Sequence, residues 1–183
     1  KSGGQKSVPQ IRLTFADAET RFPATDPARP GQAPRPAECE LGQSQGHDFW
    51  FKNENARDLP VGVFSKTCQC TSVELWVAPK DWTDVPEPAK RDEAAKKLES
   101  AATRTELKEK EGGVVVPAGA VGLLRLTWNG NRPGEKSLSA TLWMGEKGPG
   151  PQQTFDIWTI FVNPVRAAAD YNVGVFRPDE LPK

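Results

Sequence analysis

Six short stretches of this sequence alternate apolar and polar residues with a period of two, and turn-forming residues separate them. That rhythm is the signature of half-buried strands and excludes a helical bundle. HDFWFKN (47–53) sets Phe49 and Phe51 on one side and Trp50 on the other, and LPVGVF (59–64) aligns Leu59, Val61 and Val63. SVELWVA (72–78) places Val73, Leu75 and Val77 against Glu74 and Trp76. VGLLRLTWNG (121–130) aligns Leu124, Leu126 and Trp128 opposite Arg125 and Thr127, and SLSATLWMG (137–145) aligns Leu138, Ala140, Leu142 and Met144. TFDIWTIFV (154–162) sets Phe155, Ile157 and Phe161 against Trp158 and Ile160. Strands that each bury one face pack as two stacked layers, so the expected fold is an all-β, antiparallel two-layer sandwich.

Two regions depart from the alternation. Residues 1–38 hold six prolines and one apolar run, IRLTF at 11–15, a composition that blocks helix and central strand alike. They read as an extended Pro-rich arm, either a strap laid along a partner or a loosely packed leader. Residues 87–111 carry seven acidic and seven basic side chains among Ala and Leu, with Gly112 and Gly113 directly after. This composition favours a helix. Its thin stripe of Ala94, Leu98, Ala101 and Thr105 suits a solvated surface insertion docked by a narrow seam. The expected organisation is therefore an arm at 1–38, a sandwich at 39–166 interrupted by the helical insertion 87–111, and a tail at 167–183.

Charge and motifs narrow the chemistry. The 183 residues carry 24 Lys and Arg against 24 Asp and Glu, so there is no basic excess to neutralise phosphates and no nucleic-acid partner is expected. No run approaches the ~18 apolar residues of a membrane span. The chain opens at Lys1 without an apolar leader, so an export signal or anchor preceding it is an open expectation. No zinc-protease, nucleophile-elbow, P-loop or haem-attachment motif occurs, and neither catalytic residues nor a cofactor are expected.

The three cysteines and one histidine are the candidate soft ligands. Cys68 and Cys70, in KTCQCTS (66–72), would leave one face of an extended strand about 7 Å apart. They could clip copper(I), or zinc if Cys39 and His47 completed the set. The favoured reading is structural: one disulfide from Cys39 to Cys68 or Cys70, with the remaining Cys buried as a small apolar residue. A lone histidine cannot build a blue-copper site, and His47 reads as a strand-edge residue rather than a base.

Trp50, Trp76, Trp143 and Trp158 all fall on the strand face opposite the main aliphatic set. They define the candidate interaction surface, since aromatic residues concentrate at protein interfaces. The competing reading has the insertion and the arm covering them as a second small core.

The stretch 39–71, with Phe49, Phe51, Asn53, Leu59, Cys68, Cys70 and Thr71 in an F-x-F-x-N … Cys-x-Cys-Thr pattern, resembles the opening of a bacterial Ig-like family of unknown function. VVVPAGAVGLLRLTW (114–128) resembles that family's Pro-x-Gly turn and following strand, and TFDIWTIFVNPV (154–165) its closing strand. The family pattern lacks the helical insertion. Its members occur in exported proteins of planctomycetes and Bacteroidetes and are similar to Ig-like domains of centrosomal and ciliary proteins. The resemblance implies a seven-strand Ig-like β-sandwich, an extracytoplasmic (periplasmic) setting and no catalytic activity. The expected role is a non-enzymatic structural or interaction subunit of a larger extracytoplasmic or membrane-associated assembly, held by protein partners. Metal binding at the CxC pair and carbohydrate binding through exposed indoles are the alternatives.

Overall fold

The computed structural model describes residues 11–17, 20–25, 31–109, 111–145 and 150–164. Its strands are β1 (Thr14–Phe15), β2 (Arg21–Phe22), β3 (Ala37–Glu40), β4 (Ser44–Lys52), β5 (Leu59–Lys66) and β6 (Thr71–Val77). After a short 3-10 turn at Pro88–Lys90 come α1 (Arg91–Ala101), β7 (Thr103–Glu106), β8 (Val114–Val116), β9 (Val121–Asn129), β10 (Gly134–Met144) and β11 (Gln152–Val162). The first sheet runs β1-β4-β9-β6-β7, and the second β2-β11-β10-β5-β8 with β3 also on β11.

Strand order identifies the sandwich. β4, β9 and β6 lie side by side in one layer, and β11, β10 and β5 in the other. These are the B-E-D and G-F-C groupings of an Ig-like Greek key. β3 runs parallel to β11, pairing Cys39 with Phe161, so the second sheet is mixed rather than purely antiparallel. The chain then crosses to the first sheet through a turn in which Gln43 N–H donates to the Glu40 carbonyl and Gly42 adopts φ 81°.

The alternation read from sequence places the main core. Phe49, Phe51, Leu59, Val61, Val63, Val73, Leu75, Leu124, Leu126, Leu138, Ala140, Leu142, Phe155 and Ile157 are all buried between the layers. The strap along a partner is, over its described part, a strap along the chain's own sandwich. Leu13 is buried in that core, β1 pairs with β4, and Phe15 packs edge-on against Phe51 and Phe155. β3 spans the expected boundary at 38/39. The tail 167–183 lies outside the described residues.

The insertion lies between β6 and β8 and differs from its expected form. α1 stops at Ala101, well short of Gly112, because Ala102 turns extended (φ −77°, ψ 149°) and Thr103–Glu106 pairs antiparallel with β6. Thr103 and Thr105 prefer the pleated edge, and that edge supplies backbone partners that a helix end leaves unmet. Ala94, Ala95 and Leu98 face inward; Ala101 does not.

Candidate functional site

The cysteines and histidine do not converge. Cys68 and Cys70 are bridged to each other, Cα atoms 5.1 Å apart, and Cys39 is a free buried thiol. The expected Cys39 bridge is thus corrected, as is the extended Cys68–Cys70 geometry. The segment is a turn, closed by Thr71 N–H donating to the Cys68 carbonyl, which brings the two sulfurs together. Burial, with Glu40 adding to it, pushes the Cys39 thiol above its ordinary value, so it stays protonated and inert. Its S–H reaches the Glu40 and Gln43 carbonyls. A bridge closing only the residues from 68 to 70 removes little unfolded-chain entropy, about 1.5 kcal/mol against about 3 for a 15-residue loop. Among the described residues, no three His, Cys, Asp or Glu side chains are placed to hold a metal ion.

His47 sits on β4 beside the insertion, stacked on Phe22 with ring centroids 4.1 Å apart and edge-on to Phe49. Burial lowers its pKa below the ordinary 6.5, although Asp48 and Asp17 pull it back up. Asp17, Asp48, Arg91 and Arg125 line the same cleft of about 470 Å³. Asp17 and Asp48 are each matched: Arg91 Nη1 meets Asp17 at 2.7 Å, and Arg125 forks onto Asp48 at 2.6 and 2.7 Å, while Asp92 of α1 also lines the cleft. The Asp48 hydrogen bond holds the Arg125 guanidinium firmly charged. The cleft is a polar seam between the insertion and the first sheet.

The indoles need the largest correction. Trp50 and Trp76 are buried, as is Trp143 (3 % exposed); Trp158 is half-buried. Trp50 and Trp76 join Val121, Leu123, Ala94, Ala95 and Leu98 in a second core beneath the insertion. Trp82, which the alternation did not single out, stacks on Trp50 at 6.3 Å and 6°. Trp76 Nε1 donates to Glu74, whose carboxylate is gripped at 3.0 Å by Arg104, while Arg104 and Arg125 both lie over the Trp76 ring. Burial pulls the Glu74 pKa upward, but hydrogen bonds from Arg104 and Trp76 bring it below the ordinary value. An outward indole on a sheet face invites a cover, and here the chain provides its own. Of the six tryptophans, Trp50, Trp76, Trp128 and Trp143 are buried, and Trp82 and Trp158 are half-buried.

The second sheet is different. Its outer face is covered by no described helix, and it carries the two exposed large hydrophobics found among the described residues, Phe64 (49 %) and Val115 (56 %). β8 pairs with β5 only along Leu59–Val61, so Val115 lies beside Pro60. The β10–β5 register passes from Thr141↔Ser65 to Leu142↔Val63, leaving Phe64 as the extra residue of a bulge that turns it outward. Trp143 lies on this face over Gly62, covered by Gly113, whose φ of 78° suits a residue lacking Cβ. Trp158 lies on the same face, its Nε1 donating to Glu135. The alternation in LPVGVF already pointed Phe64 away from Val63; the bulge that exposes it had no signal in the sequence.

No protein-family model and no curated protein matches the chain. Solved structures similar to it include the ASH/PapD-like domain 7 of human CEP192, at TM-score 0.39 and 9% identity, covering 76% of this chain and 96% of that one. The N-terminal domain of PorA is similar at TM-score 0.36 and 12% identity, covering 70% and 90%. The CsuC–CsuE chaperone–tip adhesion subunit pre-assembly complex of Acinetobacter baumannii follows at 0.31 and 15%, covering 72% and 50%. The fold assignment rests on the strand order itself. No helix among the described residues is long and apolar enough to cross a membrane.

Proposed function

We propose that this chain is a non-enzymatic Ig-like contact module of an extracytoplasmic bacterial assembly, docking a protein partner on the outer face of the second sheet. The observation that carries this reading is the asymmetry between the two outer faces. The first sheet is sealed by α1, whereas the second presents Phe64 and Val115 to solvent. Exposed apolar side chains on a sheet face that no described helix covers are what a docking partner desolvates. The Cys68–Cys70 bridge agrees with an oxidising compartment. Membership of the bacterial Ig-like family remains part of this proposal, supported by the F-x-F-x-N … Cys-x-Cys-Thr pattern.

The test is affinity purification from the native organism with the intact chain and with Phe64→Glu/Val115→Glu. Both substitutions replace exposed side chains, so the fold should tolerate them. A stoichiometric protein retained by the parent and lost from the double variant supports the proposal. Identical co-purifying proteins in both samples overturn the assignment of this face.

A further inference from the structure

At the end of the sandwich where β5 passes to β6, a cleft of about 600 Å³ is lined by the Cys68–Cys70 disulfide, Arg132, Lys136, Leu138 and Phe161. No carboxylate lines it, and among the described residues neither Arg132 nor Lys136 is held in an ion pair. Both sulfur-bearing residues are part-exposed. The crosslink joins residues that the Cys68–Thr71 turn already holds together, so a tie between distant segments is not its role. The geometry points to a thiol–disulfide exchange site at Cys68–Cys70 that accepts small thiols bearing carboxylates.

The two sulfurs are not equivalent. The Cys70 amide N–H donates to Cys68 Sγ at 3.1 Å. Charge arriving on Cys68 is therefore stabilised by that donor and by the cationic cleft, which makes Cys68 the better leaving group. The incoming thiol first loses its proton to solvent, and its thiolate attacks Cys70 Sγ. The new S–S bond forms as the Sγ68–Sγ70 bond breaks, and the electron pair leaves on Cys68 as a thiolate. A second thiolate then attacks the outer sulfur of the mixed disulfide. It releases the Cys70 thiolate and a symmetrical disulfide, so two thiols are oxidised as the protein's disulfide is reduced. The cleft is of small-ligand size. Arg132 and Lys136 supply charge-assisted partners for carboxylates. This site is independent of the contact face on the second sheet.

The test uses the oxidised full chain, mixed at matched thiolate concentration with glutathione, which carries two carboxylates, or with cysteamine, which carries only an ammonium. Reactions are quenched by alkylation and mapped by peptide mass spectrometry. The expected result is opening about tenfold faster by glutathione than by cysteamine, since a one-sign cleft concentrates the opposite charge. Early time points should carry glutathione on Cys70 and the alkyl label on Cys68. Arg132→Gln/Lys136→Gln should lower the glutathione rate about tenfold and leave the cysteamine rate nearly unchanged. Equal rates for the two thiols, the adduct on Cys68 instead of Cys70, or no opening by thiols that reduce a free Cys-Gln-Cys peptide would each overturn it.

Discussion

Asn53 is fully buried, and its side chain joins two separate pieces of backbone. Nδ2 donates to the carbonyls of Arg57, Val116 and Pro117 at 2.9–3.2 Å, and Oδ1 accepts from the Asn55 main-chain and side-chain N–H groups. The loop after β4 is thereby locked to the turn before β9, where Ala120 N–H reaches the Pro117 carbonyl and Gly119 holds φ 74°. That is the positive φ a type II turn requires at its third residue. Asn53→Ala removes the Nδ2 donor these carbonyls share, leaving Pro117 with only the Ala120 N–H, and should cost about 3 kcal/mol. Urea unfolding checks this, with a lowered midpoint and an unchanged m-value; an unshifted midpoint would contradict it. His47 gives a prediction in pH. Its folded pKa lies below 6.5, so between that value and 6.5 the unfolded chain binds a proton that the folded chain does not. Stability therefore falls as pH drops through this window and levels off below it. His47→Gln should flatten that stretch of a melting-temperature profile, whereas an identical slope in the variant would show that another group is responsible.

α1 acts as a lid on the first sheet and β7 extends that sheet's edge, and the stability of both depends on a few side chains. Leu98 is fully buried against Trp50 and Trp76. Leu98→Ala should cost about 3 kcal/mol and open the lid locally before the sandwich unfolds. Tryptophan emission should shift to the red, and the β7 amides should lose hydrogen-exchange protection. Unchanged emission and protection would mean that the insertion does not depend on this seam. The sandwich strands were legible in the sequence because period-two alternation reports burial directly, as at Phe49/Trp50 and Leu75/Trp76. The helix end was not legible. Thr103 and Thr105 are the one local sign against helix in Thr103–Glu106, and the β6 edge that captures the segment comes from tertiary structure. The disulfide partner was likewise set by a turn, which placed Cys70 nearer to Cys68 than to Cys39. The alternation placed Trp50 and Trp76 on the outer face correctly, but the alanines of α1 decided that this face would be covered.

At the scale of the molecule, the described residues form two cores and leave one sheet face uncovered by a helix. One core lies between the layers, the other between the first sheet and α1. Over its described part, the arm closes the first core with Leu13 and Phe15. Among the described residues no three His, Cys, Asp or Glu side chains are grouped to hold a metal ion, and Asp17 and Asp48 beside His47 are each held by an arginine. The open face carries Phe64 and Val115. The most direct measurement is photo-crosslinking in the native cell, with a photoreactive residue placed at position 64 and, as a control, at exposed Lys96 on α1. The account predicts a discrete protein adduct from position 64 and none from position 96. Adducts from the helix and none from position 64 would place the contact surface on the lid and contradict it.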